Sequence, residues 1–233
     1  MKRKKLIISV ILLVWICCVA ALIFRGCQSS ARLNGYFITD ESGQRTWCEL
    51  PTIRYGSPKR TVISDNWHLS DVSLTETELA ALLNSWPHGM QHLGWEDYEL
   101  KATAVVLPEH TDSGETVFRF SYLEVEGYRG PKEEGYRPVF TLRISPDHIP
   151  SGIFSANHKG KTTYIQGVSV DGCRQDGRHW VSFRTENVGV HFEIGDDLLA
   201  ARNLTARVVR YAIVEDGFSF DALQTLMERV NEK

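Results

Sequence analysis

The chain has 233 residues, 42% of them hydrophobic, with 26 Lys+Arg against 29 Asp+Glu and a formal net charge of −3. That supplies apolar material for one sizeable core or two small ones. No Lys/Arg run occurs beyond the N-terminus, which excludes the clustered cations on which nucleic-acid binding depends.

The first element is an apolar run, Leu6–Phe24, nineteen residues interrupted only by Ser9 and preceded directly by Lys2-Arg3-Lys4-Lys5. At a rise of 1.5 Å per residue it spans about 28 Å, close to the ~30 Å hydrocarbon core of a bilayer. The run predicts a retained transmembrane signal-anchor. Four cations precede it and one, Arg25, follows, so residues 1–5 are expected to form a basic cytoplasmic tail and the rest of the chain to face the other side. Two other fates compete. Cleavage after Ala31, where Ser29 and Ala31 give a small-residue pattern, would release a secreted protein. Lipid attachment at Cys27 would make a lipoprotein, although Phe24 and Arg25 stand where an aliphatic and a small residue are normal. All three deliver the same domain to the same extracytoplasmic compartment.

Residues 25–35 are small and polar without periodicity and predict a flexible tether. Residues 1–31 hold five cations and no acids, so the displayed part carries 21 Lys+Arg against 29 Asp+Glu, a net charge near −8. Cys48 and Cys173 are the only cysteines beyond the tether. In an oxidising compartment they are candidates for a disulfide, the alternative being two separate buried thiols.

Short strand-like pieces follow at Tyr36–Thr39, Thr46–Leu50 and Arg60–Ile63, separated by Ser42-Gly43 and Gly56-Ser57-Pro58. Thr75-Glu76-Thr77-Glu78 is a capping box, with Leu74 and Leu79 placed as a hydrophobic staple. Leu79, Leu82, Leu83 and Trp86 make one apolar face and Pro87 stops it, which predicts a helix over 76–85.

From Leu100 the period becomes two: Leu100, Ala102, Ala104 and Val106, then Phe118, Phe120 and Tyr122, then Phe140, Leu142 and Ile144. These predict three half-buried strands. The same pattern predicts strands at Thr163–Val170, Trp180–Arg184, Val188–Ile194 and Ala206–Val214. Leu223, Leu226, Met227 and Val230 predict a closing amphipathic helix from about Ser219. Seven or more strands with two helices give an α+β fold with a mainly antiparallel sheet, read as one extracytoplasmic domain over 36–233. Residues 145–161 read as either a linker or a long surface loop.

The familiar catalytic motifs are missing. Gly167-Val168-Ser169-Val170-Asp171 fails the nucleophile elbow at its last position, and no serine has a lysine three residues later to complete the set that Ser64-Asp65-Asn66 would belong to. Ser64-Asp65-Asn66 therefore reads as a turn. His88 and His92 are the best-spaced metal candidates, since an i, i+4 pair puts two imidazoles on one helix face, with Glu96 and Asp97 close in sequence. No third ligand stands at a fixed spacing, and no cofactor is implied.

Glu126-Gly127-Tyr128-Arg129 is repeated as Glu134-Gly135-Tyr136-Arg137 around Gly130-Pro131. Tyr128, Arg129, Tyr136 and Arg137 are candidate partner contacts, because Tyr and Arg carry much of the energy at interfaces. The alternative is a solvated turn whose tyrosines fold back on the sheet. Trp47, Trp67, Trp86, Trp95 and Trp180 suit either sugar stacking or core and rim. Asn203-Leu204-Thr205 is a formal glycosylation acceptor.

The expectation is a membrane-tethered extracytoplasmic domain, held through residues 6–24, acting as a non-catalytic binding or accessory module of the cell envelope. Its partner would be a protein or an envelope polymer, not a nucleic acid. The alternative is an extracytoplasmic hydrolase whose site is assembled from scattered histidines and carboxylates.

Overall fold

A computed structural model of the chain describes residues 35–40, 42–56, 70–129, 137–150, 161–175, 177–195 and 198–231. The apolar run Leu6–Phe24, Cys27, Arg60–Ile63, Ser64-Asp65-Asn66, Trp67 and Tyr136 lie outside them. Among the described residues no helix is long and apolar enough to cross a membrane. The chain divides into two compact units, residues 1–50 and 51–233.

In the first unit, β1 (Gly35–Thr39) and β2 (Arg45–Glu49) form an antiparallel hairpin. Its turn is built locally: Asp40 Oδ1 accepts from the backbone N–H groups of Ser42 and Gln44, and Gly43 takes a positive φ of 82°. A hydrogen bond from the Ser42 hydroxyl, 2.6 Å from Oδ1, and then those backbone bonds hold the Asp40 carboxyl below the usual carboxylate range.

The second unit is an eight-stranded antiparallel sheet in the order β3-β4-β5-β6-β10-β9-β8-β7. The strands are β3 (Ser70–Ser73), β4 (Glu99–His110), β5 (Thr116–Tyr128), β6 (Phe140–Ser145), β7 (Lys161–Ile165), β8 (Val168–Gln175), β9 (Arg178–Arg184) and β10 (Gly189–Ile194). Two four-stranded meanders are thus joined edge to edge by the pairing of β6 with β10. Ser145 ends β6 near the centre of this sheet and Lys161 begins β7 at its edge, so residues 145–161 join two strands of one sheet.

Among the described residues four helices accompany the sheet: α1 (Glu76–Ser85), the short α2 (Gly89–Leu93), α3 (Leu198–Ile213) and α4 (Asp221–Asn231). The predicted α+β class with a mainly antiparallel sheet is what the chain adopts. α1 covers the predicted residues and starts with the predicted box: Thr75 Oγ1 accepts from Glu78 N at 3.3 Å, and Glu78 Oε2 accepts from Thr75 N at 2.8 Å.

Two predicted strands are corrected. In Ala206–Val214, residues 206–213 are helical and belong to α3, with Val214 in the turn that follows. Of the buried residues of α3, Ala201, Leu204, Thr205, Val208, Val209 and Ala212 follow the helical i, i+3, i+4, i+7 stripe; the β-branched Val208, Val209, Ile213 and Val214 imitate strand composition. Thr163–Val170 is not one strand but the end of β7, a two-residue turn and the start of β8. Gln166 and Gly167 both take positive φ, 47° and 84°, the requirement of a type I′ hairpin turn.

The helices cover one face of the sheet. Ala102, Ala104, Leu123, Val125, Phe140, Leu142, Ile144, Val181, Phe183, Val190, Phe192 and Ile194 alternate along their strands and form one buried cluster with Leu82, Trp86, Leu93, Trp95, Val208 and Leu226 from the helical side. Phe140 lies at its middle, stacked on Trp95 with ring centroids 4.8 Å apart and meeting Tyr98 edge-on at 5.2 Å. Opposite Phe140 stands Gly127, where any Cβ would overlap the Phe140 ring. Trp86 continues the cluster to Phe218 at 5.0 Å and donates its indole N–H to Ser219 O at 2.8 Å.

Candidate functional site: a groove between two helices and a polar row across the sheet

α1 and α4 are held together at their rims and left apart between. The Arg229 guanidinium pairs with the Glu78 carboxylate, the same group that closes the capping box. At the end of α4, Asn231 clamps the helix to β5: its carbonyl oxygen accepts from Phe118 N at 2.8 Å and its amide donates to Phe118 O at 3.1 Å. Between the helices lies a cavity of about 500 Å³, a size typical of ligand sites. Leu82, Leu223 and Leu226, all buried, line it together with Leu74, Ala81 and Ala222, while Glu78, Glu228 and Arg229 supply its charged groups. Ala81 and Ala222 explain the opening, because side chains this short cannot bridge the helix surfaces. The walls are aliphatic and the charges are few, so the groove suits an apolar group better than a polar reactant.

On the face away from the helices, one polar residue from each of the eight strands falls in register: Ser73, Thr103, Glu124, Arg143, His191, Ser182, Asp171 and Thr162. The ends of this row are exposed and its centre is not, His191 being 2% exposed. Arg143 Nε donates to Glu124 Oε2 at 2.6 Å, and Ser182 Oγ lies 2.8 Å from His191 Nδ1. One step along the strands, Arg178 Nη1 donates to the buried Glu193 at 2.6 Å.

Among the described residues, two groupings contain the residue types of a hydrolase, and both differ from a catalytic relay in their geometry. A serine–histidine–acid relay needs the hydroxyl on one imidazole nitrogen and the carboxylate on the other. Ser145 Oγ lies 2.8 Å from His148 Nδ1 and Asp147 Oδ1 lies 2.6 Å from the same nitrogen, so both meet one atom. The contact with His148 first, and then a hydrogen bond that the Ser145 hydroxyl donates to Asp147 Oδ1 at 2.9 Å, hold the Asp147 carboxyl below its usual range. In the Ser182–His191 pair, the strand neighbour on the far side of the imidazole is the cation Arg143, where a relay needs a carboxylate.

The sequence-predicted residues are placed as follows. His88 is exposed in a left-handed conformation at the start of α2, φ 52°, its ring stacked on that of His92 at 5.8 Å. His92 Nδ1 meets the Glu215 carboxylate, which Arg210 also approaches at 3.0 Å. Among the described residues no group of three or more His, Cys, Asp or Glu side chains converges as a metal site. Tyr128 is the last residue of β5 and is buried, with its hydroxyl donating to Glu126 Oε2 at 2.8 Å. Burial first, and then that carboxylate, push its phenol up to about 12. Arg129 is exposed with its guanidinium 5.6 Å from the Tyr98 ring centre, and Arg137 is exposed. Cys48 and Cys173 are free, buried thiols, one in each unit. Trp86, Trp95 and Trp180 are buried and Trp47 is exposed. In the glycosylation sequon, Thr205 is fully buried in α3 and donates to Ala201 O at 2.7 Å.

Sequence reasoning missed the groove and the row. Each polar residue in the row read locally as the solvent side of an amphipathic strand, and the groove needs two helices from opposite ends of the chain. No family model, curated protein or solved structure matches the chain.

Proposed function

We propose that the chain is a single-pass membrane protein with a cytoplasmic N-terminus, displaying a non-catalytic binding module on the far side. The apolar run Leu6–Phe24 with its basic flank supports the anchoring and the orientation. The α1–α4 groove carries the binding reading: it accepts an apolar segment of a partner protein, seated on Leu82, Leu223 and Leu226 and flanked by Glu78, Glu228 and Arg229. Arg129 and Arg137, at the ends of the β5–β6 connection, offer further polar contacts.

A photo-reactive residue at position 81, on the groove wall, and another at the exposed position 164 test this in intact membranes. Cross-linking from 81 that disappears when Ala222→Phe fills the groove, with nothing equivalent from 164, is expected. Identical products from both positions, unaffected by Ala222→Phe, would refute it.

A further inference from the structure

We infer that the exposed face of the β1–β2 hairpin is a bilayer-interface contact, an inference that rests on the anchor reading above. The hairpin separates its side chains sharply. Tyr36 and Cys48 are buried on one face, whereas the cross-strand pair Phe37 and Trp47 on the other is 51% and 42% exposed. The two rings meet edge-on with centroids 4.8 Å apart, and the Arg45 guanidinium caps the Phe37 ring at 4.5 Å. Trp47 leans over Gly35, where any Cβ would overlap the indole, so the indole sits at the end of the hairpin where the chain enters from the tether.

That geometry fixes the occupant through chain length. Ten residues separate Phe24, the last of the apolar run, from Gly35. However arranged, they reach no more than about 35 Å, which keeps Trp47 within range of the membrane surface. An exposed pair of aromatic rings beside a guanidinium suits that interface, where indoles sit at headgroup level with the ring in the apolar boundary and the N–H in the wet layer. Arg45 adds a cation for lipid phosphates.

The full chain reconstituted in phosphatidylcholine/phosphatidylglycerol vesicles gives the test through tryptophan emission. The difference between wild type and Trp47→Phe isolates the Trp47 signal. That signal is expected to be blue-shifted, and largely lost when the acyl chains are brominated close to the headgroup. Phe37→Trp, which adds an indole on the same face, is expected to gain a second quenchable component. Equal Trp47 emission with plain and brominated lipid, in a chain that resists an alkaline carbonate wash, overturns this inference and leaves the anchor standing. Release of the chain by the wash overturns both.

Discussion

The two faces of the eight-stranded sheet share the same strands and the same backbone hydrogen bonds, yet they are stabilised by different physics. On the helix-covered face Phe140, Leu142, Val190 and Phe192 gain simply by leaving water, and each contributes whether or not a particular neighbour is present. On the other face Glu124, Arg143, Glu193 and His191 are costly to desolvate and tolerable only as pairs. The apolar face therefore tolerates alteration by degrees. The polar face is conditional, and losing half of a pair is worse than losing both.

Variants sharpen that contrast, and chemical denaturation of the full chain in detergent measures them. Phe140→Ala removes the ring that touches Trp95, Tyr98 and Phe192 and is expected to cost about 4 kcal/mol, the largest effect. Arg143→Met leaves the half-buried Glu124 carboxylate without its 2.6 Å donor and is expected to cost about 2 kcal/mol. Adding Glu124→Leu to that variant is expected to restore most of the loss; a double variant as unstable as the sum of the singles would erase the distinction between the faces. Gly127→Ala drives a methyl into the Phe140 ring and is expected to cost about 2 kcal/mol by overpacking.

The smallest effect at neutral pH is also the most specific. Tyr128 titrates near 10 when unfolded, and burial with the Glu126 carboxylate raises it to about 12 in the fold. Its contribution is therefore complete below pH 10 and is lost between about pH 10 and 12. Tyr128→Phe is expected to flatten the decline of stability over that window. Tyr55 and Tyr122 are also raised by burial, so the decline is reduced rather than abolished. An unchanged slope would mean that the fold does not raise the Tyr128 phenol.

Local signals in the sequence were sufficient for the elements whose determinants are local. The capping box and staple around Thr75 gave α1, and period-two alternation gave β4, β5 and β6. α3 was misread because its valines satisfy strand composition while its spacing satisfies a helix, and only packing decides between them. The β7–β8 turn was hidden because Gln166, rather than Asn or Asp, occupies the left-handed position. The candidate sites were the least legible part. The polar row depends on the β6–β10 register and the groove on α1 meeting α4, and both are long-range facts that no window of sequence contains.

The same division separates the groove from the hairpin face. The groove is concave and aliphatic, which suits a protein segment, whereas the hairpin face is exposed and aromatic, which suits a membrane surface. Both assignments require residues 25–233 to lie across the membrane from Lys2–Lys5. A reporter enzyme that gains activity only outside the cytoplasm, fused after Lys233, tests that requirement most directly. High activity from the fusion, with the chain retained in washed membranes, is the predicted result. Activity only from a reporter that works inside the cytoplasm, fused at the same position, would contradict it.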